Sequence, residues 1–213
     1  RDGRGNPVQA RLAAQPAEKV IVDDPRVDAL DDAVQEQTVR LLALRQPMAV
    51  DLRVILSSIK IAAALERIAD YAKNTAKRSI VLSQTTSPSA GIAGIERLGR
   101  LVRTALKDVL DAFAQGDVAK ARDVWERDEE IDQVYTGLFR ELLTYMMEDP
   151  RTITRVMDMT WMARALERIG DHAKNICEYV IYMVLGKDIR HLSIEDVEKQ
   201  LAAARAARTG NGG

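Results

Sequence analysis

Two rows of oxygen-bearing side chains in this sequence are spaced for chemistry. Glu66, Asp70 and Asn74 follow one another at intervals of four residues, and so do Glu167, Asp171 and Asn175. On a helix that interval returns to the same face. Each set therefore forms a polar stripe beside an apolar one: Leu65, Ile68 and Ala72 in the first, Leu166, Ile169 and Ala173 in the second. Upstream of each lies another acidic pair at the same interval, Asp24 with Asp28 and Asp128 with Asp132. If the helices carrying these pairs pack antiparallel, four carboxylates converge in each half of the chain.

Like charges brought together repel unless they are neutralised. A bound cation is one remedy, and salt bridges to arginine are another. The ligands are oxygens without His or Cys, which suits Mg²⁺, Mn²⁺, Ca²⁺ or iron rather than structural zinc. The plainer alternative is a solvated helix face, on which Arg67–Asp70 and Glu66–Lys73 are ordinary neighbours worth a few tenths of a kcal/mol each. Catalysis finds no support, and no catalytic residue is expected. Di-iron carboxylate bundles use Glu-x-x-His, whereas His172 stands five residues beyond Glu167, and Tyr71 takes the corresponding place in the first copy. There is no Gly-rich phosphate loop, nucleophile motif or dinucleotide fingerprint. Cys177, the single cysteine, sits in an apolar run and reads as a buried structural thiol.

The acidic rows are positioned by an internal repeat. Residues 64–74 and 165–175 are identical at nine of eleven positions, with Glu167 lying 101 positions after Glu66. Val20, Asp24, Val27 and Asp28 correspond to Val124, Asp128, Ile131 and Asp132 at an offset of 104, so the difference falls in the connections that contain Pro47 and Pro150.

Composition points to helices throughout. Of 213 residues, 46% are hydrophobic but only 4% aromatic, and alanine and other strong helix formers dominate. The net charge of −1, from 31 basic and 32 acidic residues, lacks the basic excess of a nucleic-acid binder. No signal peptide or spanning segment of ~20 apolar residues is visible, so the expected location is cytoplasmic, with any membrane association indirect.

The pattern predicts an irregular N-terminal segment (1–16), a first unit (17–83), a polar linker (84–90), a second unit (91–192), and a short C-terminal helix with a flexible tail (193–213). In the first unit a helix runs from about Ala17 to Arg45 on the stripe Val20, Val27, Leu30, Val34, Leu41 and Leu44, and a second from about Val50 to Leu82. Pro25 either kinks the former or starts it with Asp24 as cap. The second unit has three helices: Ile92 to Ala114, Val118 to Met147, and Thr152 to Leu185. The first unit thus lacks a counterpart of its first helix. With Arg1 rather than Met at the start, the reading is a truncated or mis-started copy of a six-helix protein, with an apolar stripe left uncovered.

The duplicated Glu-Arg-Ile-x-Asp-x-Ala-Lys-Asn, with Leu44-Arg-Gln-Pro-Met-Ala-Val-Asp-Leu-Arg53 leading into the first copy, resembles the PhoU family of accessory regulators of phosphate-specific transport. The resemblance covers about 17–192. It implies an all-α fold of two three-helix bundles related by a pseudo-twofold axis, in proteins that are often homodimers. It also implies metal clusters on the bundle surface, with the ion left open among Mg, Mn, Fe and Zn. Carried onto this sequence, the ligands are Glu66, Asp70, Glu167 and Asp171, with Asp24, Asp28, Asp128 and Asp132 opposite, and Asn74 and Asn175 as weaker candidates. The implied role is a negative regulator of phosphate uptake and of the phosphate-starvation response. Its implied partners are the ATPase subunit of the phosphate ABC transporter and a phosphate-sensing histidine kinase. The alternatives are an accessory domain of another phosphate transporter, disfavoured by the missing membrane segment, and a metal-dependent enzyme of the carboxylate-bundle type. Pro25, next to Asp24, is expected to weaken the first metal site relative to the second.

Overall fold

The computed structural model describes residues 7–83, 91–189 and 199, and its regular elements are helices throughout. In chain order they are α1 (Pro7–Arg45), α2 (Val50–Ser83), α3 (Ile92–Gln115), α4 (Val118–Glu126), α5 (Asp128–Glu148), a 3₁₀ turn (Pro150–Thr152) and α6 (Ile153–Leu185). The predicted linker at 84–90 and most of the stretch 193–213 lie outside the described residues.

The two motif-bearing helices, α2 and α6, pack along each other and run antiparallel. Three pairs mark the seam. Lys60 Nζ lies 5.4 Å from the centre of the Tyr179 ring, the Tyr71 and His172 rings are 5.8 Å apart, and Arg78 lies 5.4 Å from the centre of the Trp161 ring. Tyr71 and His172 are equivalent positions of the repeat, so a pseudo-twofold axis passes between them. The outer pairs obey the same symmetry with their chemistry exchanged. Lys60 is equivalent to Trp161, and Tyr179 to Arg78, so each end of the seam has one cation on one ring, contributed by opposite helices.

Around this seam α1 packs on α2, while α3, α4 and α5 pack on α6. α3 places Leu98, Val102, Ala105, Val109 and Ala112 in the core at helical spacing. Gly116 ends it in a left-handed conformation (φ 61°), and the N–H groups of Gly116 and Asp117 close back onto Phe113 and Ala112. Asp117 then caps α4 by accepting from the Lys120 N–H at 3.0 Å.

Three expectations about the helices are corrected. First, α1 begins at Pro7, so within 1–16 only the residues before it lie outside a described helix. Pro7 at the first helical position loses no bond that a helix would make, and the cost of the missing donor at Pro16 is carried by a long helix laid along α2. Second, Pro25 also lies inside α1, so Asp24 is a mid-helix residue and not a cap. Third, the segment 118–147 is two helices. Arg127 interrupts it at φ −72°, ψ −9°, and α5 starts on Asp128, Glu129 and Glu130, acids favoured at a helix N-terminus.

The expected uncovered stripe is present. Val20, Leu30, Leu41 and Leu44 of α1 are exposed, and among its described side chains those that α1 buries are Asp24 and Thr38. In the second unit α3 supplies the covering that the first unit lacks among the described residues.

Candidate metal centre

In the second unit α5 brings Asp132 against Glu167 and Asp171 of α6. One carboxylate oxygen from each lies within 4.8 Å of the other two. Glu167 and Asp171 meet because they are one helical turn apart. Asp132 reaches them because Gly170 lets α5 approach closely: a Cβ there would stand 3.1 Å from Ile131 Cγ2. Glu167 is only 8% exposed. Its Oε1 accepts from Arg164, while Oε2 is buried with no hydrogen-bond partner. Asp171 has only a distant pairing with Arg168, at 3.6 Å.

The carboxyls of all three are raised above their ordinary pKa values. Burial is the largest cause in each case, followed by a neighbouring carboxylate: Asp171 for Glu167, and Asp128 for both Asp171 and Asp132. The fourth predicted acid, Asp128, is buried and engaged by Lys174 Nζ at 2.7 Å.

The first unit resolves its charges differently. Lys73, the repeat equivalent of Lys174, bonds both Asp24 and Asp70 at 2.6 Å, and those bonds push its own pKa up. Among the described residues no triad like that of the second unit forms there. Glu66 is raised by burial first and then by Asp70, Asp28 and Asp31. Asp31 was not anticipated from the sequence, although Asp24, Asp28 and Asp31 follow the i, i+4, i+7 spacing of one helix face. Asp24 Oδ1 and Asp31 Oδ1 are buried without a partner. The salt bridges expected from arginine are thus made chiefly by two lysines, with Arg164 and Arg168 on the triad. Of the two asparagines, Asn74 lines a cavity between α2 and α6, and Asn175 is half-buried on α6. Burial pushes the Cys177 thiol up, as for a structural cysteine.

A family profile described as "PhoU domain" matches this chain twice, over residues 13–79 and 95–180, the two halves that pack about the α2–α6 seam. The chain belongs to the PhoU family. It is 47% identical over 180 residues to the phosphate-specific transport system accessory protein PhoU homolog of Caulobacter vibrioides, covering 84% of this chain and 78% of that one. It is 42% identical over 187 residues to the phosphate-specific transport system accessory protein PhoU of Escherichia coli, covering 87% and 77%. The crystal structure of PhoU from Pseudomonas aeruginosa superposes with a TM-score of 0.80 at 42% identity, covering 84% of this chain and 85% of that one. That of the phosphate transport system regulatory protein PhoU from Streptococcus pneumoniae gives 0.73 at 29% identity, covering 85% and 87%. The tandem all-α architecture of the family is therefore the fold of this chain.

The residues present suit a hard cation. All the donors are carboxylate oxygens, and the second-unit triad has in Glu167 Oε2 a buried oxygen without a partner. In the first unit Asp24 and Asp31 each keep a buried oxygen without a partner, but Lys73 already supplies positive charge at Asp24.

Proposed function

We propose that this chain is a cytoplasmic, metal-binding adaptor that restrains phosphate uptake and the phosphate-starvation response by linking the phosphate ABC transporter to a sensor histidine kinase. Membership of a family whose curated members are named accessory proteins of phosphate-specific transport supports the transport role. No described helix is long and apolar enough to cross a membrane, so contact with the transporter would go through its ATPase subunit. The metal role is carried by one observation: Asp132, Glu167 and Asp171 converge with raised pKa values around a buried oxygen that nothing satisfies.

Asp132, Glu167 and Asp171 are the ligands, with Asp128 within reach if Lys174 turns aside. A bound ion supplies the positive charge that three gathered carboxylates lack. Asp24, Asp28, Glu66 and Asp70 form a weaker site because Lys73 neutralises two of them. The role is binding rather than catalysis. Cys177 is inert by burial, and His172, held neutral first by burial and then by Arg67 and Arg168, stacks on Tyr71. The ion stiffens the α5–α6 face, and the exposed apolar side chains of α1 are available to a second copy in a homodimer.

The deciding experiment is elemental analysis of the purified protein beside Glu167→Ala/Asp171→Ala, combined with capture by the transporter ATPase and by the kinase. Metal that is lost in the variant, and capture of either partner, is the expected result. A metal-free protein that ignores both partners while the Escherichia coli relative captures them would overturn the reading.

A further inference from the structure

A cavity of about 470 Å³ opens between α2 and α6, beside the seam and on the same helix as the carboxylate triad. α2 lines it with Asn74, Thr75 and Arg78, and α6 with Trp161, Arg164 and Arg168. No carboxylate is among its lining residues. Each of the three arginines is paired outside the cavity lining through a single nitrogen: Arg78 Nη1 with Asp158 at 2.8 Å, Arg164 Nη1 with Glu167, and Arg168 Nη1 with Asp171 at 3.6 Å. A guanidinium carries five N–H donors in its plane, so each keeps donors beyond these pairings, while the Arg78 and Arg164 guanidiniums also lie 5.4 and 5.6 Å from the Trp161 and Tyr135 ring centres. Thr75 Oγ1 is buried without a hydrogen-bond partner, and threonine in a helix has two χ1 wells through which to turn it. Trp161 is 53% exposed, with Arg78 over its ring at 5.4 Å.

The internal repeat supplies a control that a single-copy protein lacks. The pseudo-twofold image of the cavity is framed by Asn175, Ile176 and Tyr179 on α6, and by Lys60, Ala63 and Arg67 on α2. Arg164 becomes Ala63 there, Arg78 becomes Tyr179, and Thr75 becomes the fully buried Ile176. The same helix pair therefore packs well without these groups, so packing of the seam does not demand them. What separates the two sides is a gathering of planar, bidentate cationic donors on one of them, the arrangement that matches the oxygens of a phosphate group.

We propose that this cavity binds a phosphate-type oxyanion, either free or carried on a small molecule with an aromatic ring. Arg164, Arg168 and Arg78 grip the oxygens, Thr75 and Asn74 add neutral donors, and Trp161 is the platform for a ring. The inference needs neither the adaptor role nor a bound metal.

Calorimetric titration of the full chain, stripped with a chelator and kept in a phosphate-free buffer, tests it with two probes, inorganic phosphate and adenosine monophosphate. One site per chain is expected for at least one probe. Arg164→Ala/Arg168→Ala is expected to weaken it by about tenfold or more, Arg164→Lys by less, and Arg67→Ala, at the image position, not at all. Equal binding of the two probes assigns the site to the free anion. Tighter binding of the nucleotide, with a change in Trp161 fluorescence in a Trp125→Phe background, assigns it to a phosphorylated ring compound. Circular dichroism establishes that each variant is folded, and Arg164→Lys keeps the test decisive if the double variant is not. Absence of heat with both probes up to about 10 mM overturns the proposal. So does binding that falls equally in the Arg67→Ala and Arg164→Lys proteins.

Discussion

Replacing Asp171 with Asn removes one charge from a cluster whose oxygens lie within 4.8 Å of one another. At that distance two carboxylates repel by roughly 3 kcal/mol at an effective dielectric constant near 20, and by roughly 1 kcal/mol in bulk water. Asp132 is exposed and Glu167 buried, so the relief on neutralising Asp171 lies between these limits, about 2 kcal/mol in all. The substitution forfeits the half-exposed pairing with Arg168 at 3.6 Å, worth about 0.5 kcal/mol. In chelator the variant should therefore be more stable than the native chain by about 1–2 kcal/mol, a rise in Tm of about 2–8 °C for a protein of this size. With Mn²⁺ at about one hundred times its Kd the order reverses, because the native chain gains about 2.7 kcal/mol from binding and the variant, short of a ligand, gains little. Thermal melts of both proteins in EDTA and in Mn²⁺ check this. A variant that is less stable than the native chain in EDTA and unmoved by Mn²⁺ refutes the reasoning, and shows Asp171 to be a structural ion-pair partner.

The raised carboxyls also fix a pH dependence. The folded state holds protons on Glu167, Asp171 and Asp132 that the unfolded chain has already released, so their contribution to stability falls as pH rises from the ordinary carboxylate range through their folded-state titration. In chelator the native chain should gain stability relative to Glu167→Gln as pH is lowered from neutrality, and comparing the two cancels Asp108 and Asp111, which shift the opposite way; a native chain that gains on the variant as pH rises sinks the account. Lys73→Met leaves Asp24, 7% exposed, without its lysine and is expected to destabilise the chain. Mn²⁺ should restore part of that loss in denaturant titrations, since Asp24 and Asp70 are then free to bind it, and a loss below about 0.5 kcal/mol with no metal response counts against the assignment. Gly170→Ala places a methyl 3.1 Å from Ile131 Cγ2, a clash of about 1–3 kcal/mol set against a helix-propensity gain of about 1 kcal/mol. Combining it with Ile131→Val, which copies the Ala69 and Val27 of the first unit and removes the Cδ1 that would stand 3.3 Å from the new methyl, should recover more stability than the two single effects predict; simple additivity in chemical denaturation rules out the contact.

The motif helices and the acidic rows could be read in the sequence because helical spacing is local. Residues 64–74 and 165–175 declare both a face and a repeat, and the structure places them on α2 and α6. The interruption at Arg127 was hidden because no Gly or Pro marks it, although three successive acids at 128–130 are a helix-start signal. The first turns of α1 are hidden by Pro16, because proline's cost is local and the packing along α2 that offsets it is not. Which unit keeps its carboxylates free was invisible for a different reason. Lys73 and Lys174 occupy the same place in identical Ala-Lys-Asn triplets, and only the fold shows one holding two acids and the other holding one. Asp24 and Lys73 are 49 residues apart, and Asp128 and Lys174 are 46 apart, so neither pairing leaves a local trace.

Among its described side chains α1 buries Asp24 and Thr38, both polar, and exposes much of its apolar stripe. Apolar contact is non-directional, so a helix held by its stripe alone can slide a turn along its neighbour at modest cost. A buried carboxylate with one lysine to meet it has a single position of rest. The Asp24–Lys73 bond thus acts as a detent. It fixes the register of α1 on α2, and with it the alignment of Asp28 and Asp31 opposite Glu66. Adhesion and alignment in this half of the molecule are separate jobs done by different residues, and the second can be altered without weakening the first.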